Sequence, residues 1–312
     1  MKVYDISCNL KDVTDSYELG KSQYWMVLKS NELSSLDGKV LLEREVSEDC
    51  ANSNTAPKIS FFQGYLFLIA NMLTLSEDTV FIQELDVILS KDYIITVSKN
   101  NTNIISDLIK DVMESKNCHI LKDKPKAYII LYYILDRIIV KNYSVISEIE
   151  AAADKIEINI LRNPEHRQIN KLINIRRQVF KIKKCLNPLR YIGDSIVGND
   201  NAIIDKDGLY YFININSKIG KLMAALENLV QDLALVREAF ESEIANKTNE
   251  LMKVFTIIAT VFLPLDLITG LLSMNARHVP LVELEYGYYY ILSIMAAIAL
   301  VLCIVFKVKK WL

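Results

Sequence analysis

The sequence predicts an α+β domain, a mixed sheet plus long helices, that leads through one long stalk helix into a two-helix membrane hairpin. Three observations carry this expectation. Two apolar runs close the chain: Val254–Leu272, 19 residues with one charge, and Tyr286–Phe306, 21 residues with none. Segments rich in β-branched and aromatic residues crowd the first third of the sequence. An unbroken helical spacing of apolar residues fills the stretch before the first apolar run.

Composition is consistent with such a division. The 312 residues suffice for one large domain or two modest ones. Hydrophobic residues make up 51% and charged residues 24%, with a net charge of −2. That average joins a soluble part to a membrane part, because charges thin out sharply after Lys253. No basic stripe with interleaved aromatics is present, which argues against nucleic acid as a partner. The opening MKVYDISCNLKDVTDS has no apolar core and carries acidic residues early, so it does not read as a signal peptide. Cys8, Cys50, Cys118, Cys185 and Cys303 are scattered without a CxxC pair. This spacing argues against a disulfide framework or a four-ligand zinc site and places the soluble part in a reducing compartment.

Taken in order, residues 1–120 read as a cytosolic α/β domain. KISFFQGYLFLIANML, VFIQELDVILS and DYIITVS are broken by turn-like stretches and predict strands, whereas NIISDLIKDVMES has helical spacing. Residues 121–207 predict antiparallel cytosolic helices. Gly and Pro become rare from Lys126, and Pro164 and Pro188 mark helix boundaries. Residues 208–252 predict a cytosolic stalk helix with a seam of Ile219, Leu222, Leu226, Leu229, Leu233, Val236, Phe240 and Ile244. Continued into the first apolar run, this gives one helix of about 60 residues and about 90 Å. A helix that long with a sustained seam needs neighbours, from its own chain or from identical subunits.

Residues 253–272 and 286–306 predict the two transmembrane helices. Each run reaches roughly the 30 Å of a hydrocarbon core. Tyr286, Tyr288, Tyr289 and Tyr290 form an aromatic belt at one end of the second span, and Lys307, Lys309, Lys310 and Trp311 an interfacial anchor at the other. Only the short loop 273–285 joins the spans, and Arg277 is its one Lys or Arg. Lys247 and Lys253 precede the first span, and the basic tail 307–312 follows the second. The lysine excess therefore places both termini in the cytoplasm of a multi-pass protein of the cell (inner) membrane.

Asp266 is the residue in this hairpin that asks for a function. A carboxylate near mid-bilayer costs about 2.5 kcal/mol or more unless it meets water, a partner or a cation. Steps of three and four residues from it reach Leu263, Ala259, Thr256, Met252 and Asn249 in one direction and Gly270 and Ser273 in the other. This stripe is smaller and more polar than the face bearing Val254, Ile258, Val261, Leu265 and Ile268. Lining an aqueous path, it would keep Asp266 solvated and attractive to cations. The alternative is a neutral aspartate hydrogen-bonded to a neighbouring helix. Two helices cannot enclose a pore, so the first reading requires an oligomer. Pro264 is compatible with a membrane helix whose neighbours satisfy the carbonyl of Thr260.

NKTNELMKVFTIIATVFLPLDLITGLLSMN (Asn246 to Asn275), followed by Pro280, resembles the pore helix of the CorA magnesium-transporter superfamily. The second span and its ending FKVKKWL are similar as well, and the order of elements upstream extends the likeness along the whole chain. The resemblance implies a funnel-shaped homopentamer in the lipid bilayer, with the first spans around one conduction path for hydrated divalent metal ions. Mg2+ is the default ion, with Co2+, Ni2+ or Zn2+ the rivals, and the transported cation is the only inorganic partner implied. Mg2+ gives up its waters reluctantly, so recognition by neutral oxygens suits it.

By the resemblance, Asn275 holds the hydrated ion at the outer mouth, with Met274 and Ser273 completing a Ser-Met-Asn signature. Met252 and Leu263 match apolar constrictions that gate by dewetting. Asn249 matches a polar position at the cytosolic end of the pore, and Lys307, Lys309 and Lys310 a basic ring. Four departures from the family pattern stand out. Ser273 replaces a glycine, so either the backbone differs locally or serine bears the strain that glycine avoids. Asp266 stands where relatives carry Thr or Ser and would form a ring of carboxylates that cannot all ionise without bound cations, making it a candidate metal site with Asn275. Arg277 and His278 follow the signature, while Glu283 and Glu285 come only after Pro280. Asn214 falls where the family uses an aspartate for Mg2+-dependent closure, and an amide is a poorer ligand for a hard cation.

Weaker signals point elsewhere or nowhere. Cys118-His119 is read as a buried pair, and Glu148, Glu150, Asp154 and Glu157 as a solvated helix face. No P-loop, GxSxG or HExxH pattern is present, so the chain is not expected to be an enzyme or to carry a cofactor. Two classes of function remain: a divalent-cation channel, and a non-conducting or regulatory membrane protein with the same fold. A proton-linked Zn2+ transporter is the nearest variant of the first.

Overall fold

A computed structural model describes residues 1–36, 40–52, 56–99, 103–274, 286–309 and 311. Asn275, Arg277, His278, Pro280, Glu283, Glu285 and Lys310 therefore lie outside the described residues. The chain divides into two units: Met1–Asn159 with Glu165–Arg237, and Ile160–Pro164 with Glu238–Leu312.

Runs of β-branched, aromatic and other apolar residues, buried on both faces, build the sheet of the first unit. Strands β1 (Lys2–Asp5), β2 (Lys11–Asp12), β3 (Tyr24–Lys29), β4 (Lys58–Phe62), β5 (Tyr65–Ser76), β6 (Thr79–Ser90) and β7 (Tyr93–Ser98) lie in the order β2-β1-β3-β7-β6-β5-β4. All neighbours are antiparallel except β3 and β7, whose parallel pairing joins the N-terminal strands to the β4–β7 meander. The turn between β5 and β6 places Glu77 and Asp78 at φ 48° and 57°, the two positive values that match the twist of a tight hairpin. The N-terminal strands were not expected from sequence.

Both faces of the sheet are buried. On one, Met26, Phe67, Ile69, Ile88, Ile95 and Val97 form a core with Val46 and Cys50 of α1 (Arg44–Ala51). On the other, Trp25, Leu68, Val87 and Ile94 are closed off equally, and Trp25 Nε1 donates to Thr96 Oγ1 at 3.0 Å.

The remaining helices are α2 (Asn103–Met113), α3 (His119–Asp123), α4 (Ala127–Arg162), α5 (His166–Leu186), α6 (Pro188–Gly198), α7 (Lys206–Ser273) and α8 (Gly287–Val308). Their ends follow local chemistry. Glu165 and Gln168 form a capping box at the start of α5, and Pro188 opens α6. Strands β5 and β6 pair over their full length, but β4 pairs with β5 only as far as Ile69. The bare β5 edge beyond is satisfied by Asn142 of α4, which accepts from the Leu73 N–H at 2.7 Å and donates to the Asn71 carbonyl at 3.2 Å. Gln178 of α5 likewise accepts from the Val80 N–H on β6 at 2.9 Å. These side chains tie the long helices to the sheet.

The long helix expected to run from soluble domain into membrane is observed as α7, 68 residues without interruption. At its start Asp205 accepts from the Gly208 N–H at 2.7 Å and from the Tyr128 hydroxyl at 3.0 Å. Gly208 approaches α4 so closely that a Cβ there would stand 2.8 Å from the Tyr128 ring. Phe212, Ile215, Ile219, Leu222, Leu226, Leu229, Leu233, Val236 and Phe240 are buried in turn, while Ile244 is half-buried. Beyond Phe240 no residue of α7 is buried.

Candidate functional site

In the second unit the exposed and covered positions of α7 separate by phase. Ile257, Val261, Pro264, Leu265, Ile268 and Leu272 are half-buried, spaced as one face of a helix. Helix α8 shows the matching pattern, with Gly287 and Phe306 buried and Ile291, Met295, Ile298, Ala299 and Leu302 half-buried between them. These are the faces that two helices in lateral contact cover. Both helices are long and apolar enough to cross a membrane, with mean hydropathy 2.0 and 2.8 in their most apolar windows.

Asn249, Met252, Thr256, Ala259, Leu263, Asp266, Gly270 and Ser273 are exposed without exception. At about 100° per residue they lie roughly opposite the half-buried face of α7. Among the described residues, nothing covers them. Asn249, Met252 and Thr256 border an open recess of about 610 Å³ that Glu250, Lys253 and Trp311 also line.

Hydroxyls within this segment bond to their own helix. Thr256 donates to the Met252 carbonyl at 2.7 Å, Thr269 to that of Asp266 at 3.0 Å, and Ser273 to that of Thr269 at 2.7 Å. Such back-bonding satisfies a hydroxyl without water. The Asp266 carboxylate has no side-chain partner among the described residues. Ser273 ends α7 in a conformation outside the positive-φ residues of the chain. Of the two outcomes considered for the glycine replacement, the backbone is therefore locally helical and serine carries no left-handed strain.

Lys253 on α7 and Lys307 and Lys309 at the end of α8 are exposed, and so, at the start of α8, are Tyr286, Tyr288, Tyr289 and Tyr290. Trp311 stacks on Phe306 at 5.9 Å with the rings 22° apart. Lys247 donates to Asn163 Oδ1 at 3.0 Å, holding the turn between α4 and α5 against α7. In the first unit Asn214 is exposed on α7, as are Glu148, Glu150 and Asp154 on α4, with Glu157 half-buried. Cys118 is buried, and burial pushes its thiol up from the ordinary range, but His119 beside it is exposed, so the two are not the buried pair read from the sequence. Among the described residues no group of three or more His, Cys, Asp or Glu side chains is placed to hold a metal ion.

Comparison with known proteins gives a consistent result. The family model described as CorA-like Mg2+ transporter protein matches residues 20–310. The cobalt/magnesium transport protein CorA of Thermotoga maritima is 29% identical over 273 residues, 86% of this chain and 76% of that protein. The zinc transport protein ZntB of Vibrio parahaemolyticus is 28% identical over 117 residues, 37% of this chain and 36% of that protein. Among solved structures, the complete CorA magnesium transporter from Methanocaldococcus jannaschii superposes with a TM-score of 0.82 at 18% identity, covering 100% of this chain and 98% of that one.

Proposed function

The chain belongs to the CorA-like Mg2+ transporter family, and from that premise we propose that it is a homopentameric channel for divalent cations, with Mg2+ its main ion. The family consists of transporters, so the activity is ion movement rather than catalysis. The reading rests above all on the stripe from Asn249 to Ser273, which is smaller and more polar than the half-buried face of α7 and lies exposed opposite it. Identical copies packed around an axis would turn that stripe into a continuous lining. Helix α8 is then the outer support.

Ions would pass Asn275 and Met274 at the mouth, then Gly270 and the Asp266 ring. Leu263 and Met252 narrow the path as dewetting constrictions, with Ala259 and Thr256 between them and Asn249 at the inner end. Lys307, Lys309 and Lys310 form the basic ring at the cytoplasmic face of the inner membrane, where both termini lie. Asn214 cannot supply the carboxylate that a Mg2+-held closure would use, so feedback by Mg2+ is weakened. The carboxylate ring favours direct binding of a metal, which is the feature that admits Zn2+ as a second ion. The similarity to a zinc transport protein points the same way.

Competitive divalent flux into proteoliposomes across a pH series tests the proposal. The expected result is saturable Mg2+ entry that other divalent ions inhibit. Absence of flux for every divalent ion under every gradient would sink it and favour a non-conducting protein of the same fold. Asp266→Thr should change ion preference or pH dependence. Unchanged flux with reduced thermal stability would instead assign Asp266 to helix packing.

A further inference from the structure

In the first unit, the sheet encloses a charged cluster that the proposed conduction path does not use. Glu84 and Asp86 on β6 and Lys99, just after β7, follow the alternation of Ile88, Ile95 and Val97 and so point to the face that α1 covers. All three are shut off from water: Glu84 is 5% exposed and Asp86 0%, and the Lys99 side chain 3%. The Lys99 ammonium pairs with Glu84, stands 3.1 Å from Asp86 Oδ2 and donates to the Asp49 carbonyl of α1 at 2.7 Å. The Cys50 thiol of α1, itself 0% exposed, lies against Asp86. Neither Asp86 oxygen receives a hydrogen bond of good geometry.

The charges do not balance. Two carboxylates face one ammonium in a dry pocket, and an unpaired buried charge is strongly unfavourable. Among the described residues, the other charged groups nearby give no relief. The Asp49 carboxylate turns to Lys58 at 2.7 Å, and Lys58 also meets Glu45 at 2.7 Å on the exposed rim. One proton makes the cluster neutral and lets one carboxyl group donate to the other. Consistent with this, burial holds the Asp86 carboxyl well above the usual carboxylate range against the opposing pull of Lys99.

We propose that Glu84, Asp86 and Lys99 form a proton-binding site whose occupied state fastens α1 to the sheet. When the proton leaves, water must reach the surplus carboxylate. The cover that must give way is α1, because the Asp49 carbonyl and Cys50 close the cluster from that side. The sign follows from linkage. The closed state binds the proton more tightly than an open one, so closure is fully favoured below the ordinary carboxylate range. It weakens as pH rises through the elevated value.

Hydrogen–deuterium exchange on the full chain in detergent, from pH 5.5 to 8.5 and corrected for intrinsic rates, reads this directly. Protection of the α1 amides should fall with rising pH by up to about tenfold per pH unit, the limit for one linked proton, while β7 stays constant. Asp86→Asn and Glu84→Gln each remove the surplus charge, and in either variant α1 should stay protected throughout. Should one variant fail to fold, the other decides. Protection of α1 that is flat with pH in the native chain, or a pH dependence that survives the substitution, overturns the proposal. None of these residues is assigned to the proposed conduction path, and neither test depends on the other.

Discussion

Replacing Asn142 by leucine tests how the long helices are held to the sheet. Asn142 is 0% exposed and serves two backbone groups of the bare β5 edge, the Leu73 N–H at 2.7 Å and the Asn71 carbonyl at 3.2 Å. Leucine shares the branched shape of asparagine but is apolar and larger, so the change opens no cavity. What it does is orphan a buried donor and a buried acceptor, at about 1–3 kcal/mol each. Leucine recovers a little of this by its own burial, leaving a net loss of about 2–4 kcal/mol. At roughly 2–4 °C per kcal/mol for a domain of this size, Tm should fall by about 4–16 °C. Trp25, fully buried in the sheet, gives an intrinsic emission signal for the unfolding of this unit, whereas Trp311 is 41% exposed. A fall below about 2 °C would refute the reasoning, since orphaned buried groups of this kind cost more than that. So would an equal fall for Tyr143→Leu, because that neighbouring side chain is 52% exposed and makes no comparable bond.

Other outcomes follow from the same geometry. Gly208→Ala would press a methyl group to 2.8 Å from the Tyr128 ring and 2.9 Å from Ile204. It should destabilise the fold by about 1–3 kcal/mol, measured as a lower Tm. Leu263→Ser, in the proposed constriction, should raise resting Mg2+ flux in liposomes several-fold, because a polar ring no longer dewets. The same substitution in a helix without a conduction role would leave flux at background.

The membrane hairpin was legible because a bilayer imposes length and composition on a segment directly. Charge depletion over Val254–Leu272 and Tyr286–Phe306 needs no tertiary context to be read. The same holds for α7, whose seam of Leu222, Leu226, Leu229 and Leu233 repeats without a breaker. Strands β1 and β3 escaped notice for the opposite reason. Lys2–Asp5 has four residues, and Tyr24–Lys29 gains its place only by parallel pairing with β7, distant in sequence. The charged cluster under α1 was hidden too, although it left a signal. In VFIQELDVILS, Glu84 and Asp86 share a face with Ile88, while Leu85, Val87 and Leu89 fill the other. A strand apolar on both faces around two acids is one whose acids are enclosed. For the stripe around Asp266, phase was readable, but exposure was not, since that depends on which face α8 covers.

The unbroken course of α7 makes the helix a phase standard. Its last buried residue, Phe240, and the exposed stripe that begins at Asn249 lie on one backbone ladder. A single residue inserted between these points would turn every downstream position by about 100°, swinging Asp266 from its own face toward the face that meets α8. Seven residues would return it to within about 20°. Length in this segment is therefore quantised: the chain tolerates whole heptads there far better than single residues, even though no side chain in the inserted stretch would touch an ion.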